Sequence, residues 1–219
     1  MTKVKICGLK KLEHMLTVTE LGADFLGFVF VEGVRREISP DDAHGLINQL
    51  KQNYTGKLPK LVGLFANQDS SYVNQIVNYC DLDMVQLCGD EDSEYWAKIN
   101  SSIIKQVKME VENHSEYVLN QIKQKVDEIR NAGHMPLLDS YERGALGGTG
   151  KTFDWSMTKL VSGNQRLILA GGLTPANVNQ AINMVRPWAV DVSSGVETNG
   201  QKDDLKLRDF INNAFNASK

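Results

Sequence analysis

The sequence predicts an α/β protein, a parallel eight-stranded (β/α)8 TIM barrel that forms a single domain over residues 1–219. Eight short apolar runs alternate with helical stretches along the chain. The runs are rich in β-branched residues without polar alternation, which is typical of a parallel sheet that is buried on both faces. Eight units in 219 residues leave about 27 residues for each, which is lean but sufficient for such a barrel.

The predicted strands follow from the apolar runs in order. They are Lys3–Cys7, Phe25–Phe30, Lys60–Phe65, Met84–Leu87, Ile103–Val107, Pro136–Asp139, Leu167–Ala170 and Ala189–Val192. A doubly wound open sheet is the main competing fold, but it usually has fewer strands and a glycine-rich fingerprint after the first one. The segment Cys7-Gly8-Leu9-Lys10 does not match that fingerprint, and the barrel is preferred.

Helix signals fall between these runs. Ser39-Pro40 supplies a capping hydroxyl and a proline at the first helical position, and Thr174-Pro175 is predicted to do the same before a helix over Ala176–Val185. Apolar residues at helical spacing predict further helices over Asp69–Tyr79 and Ser115–Asn131.

The composition excludes several classes of protein. A hydrophobic fraction of 42% and a net charge of −3 indicate an ordinary globular protein without the basic surface that nucleic acid requires. No apolar run approaches the ~20 residues that span a bilayer, and the first residues enter a strand directly, so neither a membrane anchor nor a signal peptide is expected. Three cysteines without zinc-like spacing indicate free thiols in a reducing compartment. We therefore expect a cytoplasmic protein without a metal.

Small residues follow the last two predicted strands. Gly171-Gly172 follows the seventh strand, and Ser193-Ser194-Gly195 follows the eighth. Glycine lets backbone N–H groups approach an anion, and the corresponding loops of barrels commonly bind phosphate. Glycines after a strand are also ordinary turn residues, but the pairing of the two loops favours a phosphate site.

A third glycine-rich segment, Gly147-Gly148-Thr149-Gly150-Lys151-Thr152, follows the sixth strand. A nucleotide-binding P-loop would need a glycine at position 145, where the chain has Ala145, and it would directly follow a strand. We therefore expect a loop that lies over the ligand, with Gly148 as a substrate-binding residue.

Cys7 and Asp139 end the first and sixth predicted strands, so their side chains can converge at the mouth of the barrel. A thiol in a basic neighbourhood can act as a base near neutral pH, and a carboxyl group in an apolar setting can act as an acid. Such a pair, without metal ligands or a nucleotide motif, favours proton-transfer chemistry. The alternative for either residue alone is a buried structural cysteine and a helix-capping aspartate.

Taken together in this order, the motifs resemble the phosphoribosylanthranilate isomerase family of tryptophan biosynthesis, from Lys3 to about Asp203. The pieces that carry the resemblance are Lys5–Leu9, Gly22–Phe30, Val62–Asn67, Val85–Leu87, Leu138–Ser140, Gly147–Gly150, Leu169–Leu173, Asp191–Glu197 and Gly200–Asp203.

The resemblance implies an Amadori rearrangement of N-(5-phosphoribosyl)anthranilate to 1-(2-carboxyphenylamino)-1-deoxyribulose 5-phosphate, without a cofactor. It makes Asp139 the acid that protonates the ribose ring oxygen and Cys7 the base that takes the C2 proton. It gives the anthranilate carboxylate to Arg36 and places Asp191 against the ligand. A planar guanidinium group suits a carboxylate because it donates two charge-assisted hydrogen bonds.

Two positions depart from the family pattern. The family usually has Gln-Leu-His-Gly after the fourth strand, whereas this chain has Gln86-Leu87-Cys88-Gly89, so the contribution of that histidine is absent or replaced. The second loop lacks the Ser-Pro or Ser-Lys that usually precedes the family arginine, and because Arg35 and Arg36 are adjacent, the sequence leaves open which of them binds the carboxylate.

The rival functions are other phosphosugar-binding barrels: a related aminoaldose isomerase or a catalytically silent binding protein. The presence of both Cys7 and Asp139 argues against a silent protein. We expect a small phosphoribosyl substrate as the partner, no nucleic acid and no membrane, and a monomer.

Overall fold

The computed structural model of the chain describes residues 1–110, 115–141, 154–160 and 166–217. Eight strands follow one another in chain order in a closed barrel, and the pairings resolved between them are parallel. They are β1 (Lys3–Cys7), β2 (Phe25–Val29), β3 (Lys60–Phe65), β4 (Met84–Leu87), β5 (Ser102–Glu110), β6 (Met135–Tyr141), β7 (Ile168–Leu169) and β8 (Ala189–Val192). The (β/α)8 barrel that the sequence predicts is confirmed.

Seven α-helices are described together with two 3₁₀ helices and one small hairpin. The α-helices are α1 (Leu12–Glu20), α2 (Pro40–Asn53), α3 (Ser70–Tyr79), α4 (Ser93–Trp96), α5 (Glu116–Asn131), α6 (Val178–Val185) and α7 (Asp204–Ala217). The 3₁₀ helices span Trp155–Leu160 and Ser194–Val196, and the hairpin pairs β9 (Glu197–Thr198) with β10 (Gln201–Lys202). None of the helices in the described part of the chain is both long and apolar enough to cross a membrane.

The chain divides into two compact units. One unit, here called the first half, is residues 5–104, and the other, the second half, is residues 1–4 with 105–219. The prediction of one domain over residues 1–219 stays a prediction.

Each half has an apolar core of its own. In the first half, all five residues of β2 and all four of β4 are buried, as a parallel sheet covered on both faces requires. In the second half, all four residues of β8 are buried, and the buried face of α7 contributes Phe210 and Ile211. Continuous apolar strands of this kind are the pattern from which the barrel is predicted.

The predicted helix starts are confirmed at three sites, one of them Asp69, which caps α3, and wrong at one. Ser39 accepts a hydrogen bond from the backbone N–H of Asp42 at 3.1 Å, and Ser115 caps α5. Thr174-Pro175 does not begin a helix, because α6 starts only at Val178. The reason is Asn177, whose side chain accepts from the N–H of Thr174 at 2.8 Å and donates to the carbonyl of Gly172 at 3.0 Å. This local bonding holds the intervening residues in a turn.

The bounds of β6 also differ from the prediction. The sequence places the end of this strand at Asp139, whereas β6 continues to Tyr141. Asp139 therefore lies two residues before the carboxyl end of its strand. The prediction follows the run of buried apolar residues. Ser140 is polar and half-buried, so the run does not mark it as part of the strand.

Candidate active site

Cys7 is the last residue of β1 and is 3% exposed. It lies opposite Gly27 of β2 in the register of the two strands. A β-carbon at position 27 would lie 2.9 Å from the sulfur of Cys7 and 3.0 Å from its Cα. The thiol therefore occupies space that only a glycine at position 27 leaves open.

Lys5 lies two residues before Cys7 on the same strand, so both side chains are on the same face of the sheet. The Nζ of Lys5 is 3.2 Å from the β-carbon position of residue 27, which is 2.9 Å from the sulfur of Cys7. These two distances place Nζ and Sγ within about 6 Å of each other. Lys5 is 1% exposed, so its amino group is buried at this range from the thiol.

The chain after β1 is fixed to β2 by two backbone hydrogen bonds. The N–H groups of Gly8 and Leu9 both donate to the carbonyl of Gly27, at 2.9 and 3.0 Å. Gly8 has a φ of +77°, and a β-carbon there would lie 2.6 Å from Cδ of Arg36. The aliphatic part of Arg36 therefore lies directly against the residue that follows Cys7.

The two adjacent arginines are thus in different environments. Arg36 is half-buried over Gly8, whereas Arg35 is exposed. The loop that carries them is held by hydrogen bonds from Glu37 N–H to the carbonyl of Val34 and from Ile38 N–H to the carbonyl of Val29, both at 2.9 Å. The geometry favours Arg36 as the arginine near Cys7.

Cys88, at the position of the family histidine, lies just after β4 and is half-buried. Its sulfur accepts a hydrogen bond from Nε2 of Gln86 at 3.4 Å. Gln86 is 3% exposed, and its Oε1 has no hydrogen-bond partner among the described residues. A sulfur that accepts a hydrogen bond does not reproduce the donor and acceptor pair of an imidazole ring.

In the second half, Asp139 accepts a hydrogen bond that the sequence analysis did not foresee. Nε2 of Gln106 on β5 donates to Oδ2 of Asp139 at 2.7 Å. Gln106 is a half-buried polar residue inside the apolar run that predicts β5, and this exception to the pattern is the signal that could have identified it. A donor at this distance fixes the position of one oxygen of the carboxyl group.

The loops after β7 and β8 pack against each other, and the first of them packs against β6, through positions without a β-carbon. Gly171 has a φ of +86°, and a β-carbon there would lie 2.3 Å from the backbone nitrogen of Ser140, the residue after Asp139. A β-carbon at Gly195 would lie 1.8 Å from the carbonyl oxygen of Leu173. The structure thus brings the two predicted phosphate loops into contact with each other, and the first of them into contact with the strand that carries Asp139.

The remaining predicted site residues are placed as follows. Asp191 lies on β8 and is 7% exposed, and Gly172 lies beside Gly171 in the loop after β7 with a φ of +64°. Ser193 and Ser194 follow β8 directly. Gly148 and the rest of the loop expected over the ligand lie outside the described residues.

Comparison with known proteins gives one consistent result. The family model described as N-(5'-phosphoribosyl)anthranilate (PRA) isomerase matches residues 4–213. Among curated relatives, the N-(5'-phosphoribosyl)anthranilate isomerase of Trichlorobacter lovleyi is 44% identical over 99% of this chain and 100% of its own length. The enzyme of the same name from Geobacter metallireducens is 42% identical over 98% of this chain and 99% of its own.

Solved structures agree with the sequence comparisons. The phosphoribosyl anthranilate isomerase of Thermotoga maritima superposes with a TM-score of 0.82 at 39% identity, over 99% of this chain and 100% of that one. A phosphoribosyl anthranilate isomerase in complex with reduced 1-(o-carboxyphenylamino)-1-deoxyribulose 5-phosphate has a TM-score of 0.81 at 35% identity, with the same coverage. The 3-hexulose-6-phosphate synthase of Salmonella typhimurium, at 13% identity and a TM-score of 0.66, shares the fold alone.

Proposed function

Since the chain belongs to the N-(5'-phosphoribosyl)anthranilate isomerase family and catalyses this aldose–ketose isomerisation in tryptophan biosynthesis, we propose that Cys7 is its general base and Asp139 its general acid. The observation that carries the proposal is the environment of Cys7. Its sulfur lies at the carboxyl end of a barrel strand, within about 6 Å of the buried amino group of Lys5, and the next residue, Gly8, packs against Arg36. A structural cysteine would need neither of these basic side chains nearby.

The reaction then proceeds in two proton transfers. Asp139 protonates the ribose ring oxygen while the amine lone pair forms a C1–N double bond, and the C1–O bond breaks to give a protonated imine. The thiolate of Cys7 removes the proton from C2, and the C–H electron pair forms an enolamine, which tautomerises to the ketone. The hydrogen bond from Gln106 stabilises the carboxylate that Asp139 becomes after the first step.

The substrate is held at both of its ends. Arg36 binds the anthranilate carboxylate with its planar guanidinium group. The phosphate is bound by the backbone N–H groups of the loops Gly171–Leu173 and Ser193–Gly195, with Gly148 closing over the ligand and Asp191 facing it. Support for the phosphate site comes from the contact between these two loops at Gly195, because residue 195 leaves no room for a side chain against the backbone of Leu173.

The same proposal includes a cytoplasmic monomer that acts without a cofactor and does not bind nucleic acid. The large exposed apolar side chains of the described residues are spread over four different helices and the N-terminus, and scattered residues of this kind do not form an interface. Sedimentation should therefore give a mass near 24.4 kDa, and a mass twice as large would exclude the monomer.

The central experiment combines an isomerase assay with two isosteric variants. Cys7→Ser removes the ionisable thiol and Asp139→Asn removes the transferable proton, so each should lower kcat by about a hundredfold or more while product binding changes only a few-fold. A folded Cys7→Ser enzyme with nearly normal kcat would falsify the role of the thiol.

Cys80 provides a matched control for this experiment. It is fully buried, and burial raises the pKa of its thiol to about 11, so it carries almost no thiolate at neutral pH. Cys80→Ser should leave both kcat and the rate of inactivation by iodoacetamide unchanged, whereas product should protect the wild-type enzyme by covering Cys7.

A further inference from the structure

The chain beyond the loop Ser193–Gly195 turns back on itself in a short hairpin. Strands β9 and β10 pair antiparallel, with Lys202 directly opposite Glu197. The turn between them contains Asn199 and Gly200 at φ values of 51° and 78°, the conformation of the tight turns that join two hairpin strands. The turn thus returns Lys202 to the loop from which the hairpin started.

Lys202 is buried in this position and makes specific contacts. Its ammonium group donates to the carbonyl of Ser193 at 2.8 Å and to Oε1 of Glu197 at 3.0 Å, and the hydroxyl of Ser193 lies at 3.5 Å. The side chains of Lys202 and Glu197 are only 3% and 5% exposed. A buried ion pair of this kind gives little net stability over an apolar pair of similar volume, so its place here calls for another explanation.

The explanation lies in the peptide unit between Ser193 and Ser194. All peptide bonds in the described residues are trans, so the carbonyl of Ser193 and the N–H of Ser194 point in opposite directions. When Lys202 holds that carbonyl toward the hairpin, it turns the N–H of Ser194 away from it. Ser193 has φ −126° and ψ −80°, outside the regular helix and strand regions, so the peptide is held by its contacts and not by secondary structure.

We propose that Lys202 is a positioning residue for phosphate recognition, which holds the Ser193 carbonyl so that the N–H of Ser194 is presented to the phosphate of the substrate. The inference rests on the proposed function of the Ser193–Gly195 loop. Lys202 does not itself touch the phosphate, because its ammonium group is buried and its charge is matched by Glu197.

The variant that tests this role is Lys202→Met, which keeps the length of the side chain and removes its donors. We expect KM for the phosphoribosyl substrate and the inhibition constant of inorganic phosphate to rise at least tenfold together, while kcat changes less than threefold. Lys206→Met is the matched control. Lys206 donates to the backbone carbonyl of Glu197 at 2.7 Å, in the same hairpin but away from Ser193. Its loss should leave both constants within about twofold.

The outcomes separate the inference from the function on which it rests. A folded Lys202→Met enzyme with unchanged KM and unchanged phosphate inhibition overturns the role of Lys202. If Lys202→Met does not fold, the NMR chemical shift of the Ser194 amide proton in the wild-type enzyme is the test. We expect this chemical shift to change when inorganic phosphate is added. An unchanged chemical shift, at phosphate concentrations that inhibit the enzyme, overturns the inference. A wild-type isomerase that inorganic phosphate does not inhibit would instead refute the phosphate assignment of the whole loop.

Discussion

The two halves of the chain use glycine in opposite ways. In the first half, Gly27 and Gly8 leave space that the side chains of Cys7 and Arg36 fill. In the second half, Gly171 and Gly195 leave space that neighbouring backbone fills, so that loops touch directly. In the proposed function, the glycines of the first half make room for the side chains of Cys7 and Arg36, whereas those of the second half bring together the backbone of the loops that bind the phosphate. The difference predicts that adding a single methyl group at one of these glycines lowers kcat in the first half and raises KM in the second.

Gly27→Ala should have the largest effect. The new β-carbon would lie 2.9 Å from the sulfur of Cys7, so the thiol must move. A displacement of about 1 Å at the reacting centre costs about a hundredfold in rate, and we expect kcat to fall by that factor with KM within a few-fold. Steady-state kinetics measure both constants. A change confined to KM would break the comparison between the halves.

Gly195→Ala should act on KM. Its β-carbon would lie 1.8 Å from the carbonyl oxygen of Leu173, which forces the two phosphate loops apart. Loss of hydrogen bonds to a charged group costs about 1.5–3 kcal/mol each, so KM should rise at least tenfold, more than kcat falls. Gly45→Ala is the control: a β-carbon at this position in α2 would meet no described atom within 4 Å beyond its chain neighbours and the backbone of its own helix, and the change should stabilise the fold by about 0.5–1 kcal/mol without changing the kinetics. Thermal unfolding of the two variants separates loop damage from general destabilisation.

Arg36→Ala sharpens the account of the first half. Removing its bonds to the carboxylate should lower kcat/KM about tenfold or more. Arg35→Ala, one residue away and exposed, should change kcat/KM less than twofold. If the larger effect belongs to Arg35, the carboxylate is bound by the other arginine and the packing of Arg36 on Gly8 is only structural.

Gln106→Leu should have the smallest effect. It tests the side-chain hydrogen bond that Gln106 donates to Asp139 in the second half. The bond from Gln106 favours the carboxylate of Asp139, so its loss should raise the pKa of Asp139 and move the carboxyl limb of the pH–rate profile to higher pH. We expect kcat to fall about threefold to tenfold. Gln121→Leu, at an exposed position on α5, should leave the profile unchanged. An unmoved carboxyl limb in Gln106→Leu would assign Gln106 to packing alone.

The features that the sequence predicts are those encoded locally. The strand β1 and its terminal cysteine are marked by consecutive apolar residues, and the cap of α2 by a serine and a proline in adjacent positions. The bond between Gln106 and Asp139 depends on which residues of two strands face each other, and nothing within either strand specifies that register. The late start of α6 has a similar cause, because the side chain of Asn177 outweighs a helix signal three residues earlier.

The prediction that the loops after β7 and β8 bind phosphate stays a prediction, and the structure adds Lys202 to the residues that hold the second of them. Small residues at the ends of β7 and β8 identify where an anion can approach. The contribution of Lys202 arises because a two-residue turn brings it back to Ser193 from nine positions further along the chain. In the sequence, Lys202 cannot be told from a surface lysine, and only the structure of the hairpin shows that it is buried.

The close fit of Cys7 against Gly27 also constrains how this enzyme can evolve. Every amino-acid replacement at position 27 introduces a β-carbon, so each mutation that changes this residue moves the reactive sulfur, whatever side chain it encodes. Lineages that acquire new substrates must therefore leave this position untouched. Selection for new substrates would act instead on the more accessible loop that carries Arg36, where a side chain can be exchanged without displacing the sulfur of Cys7.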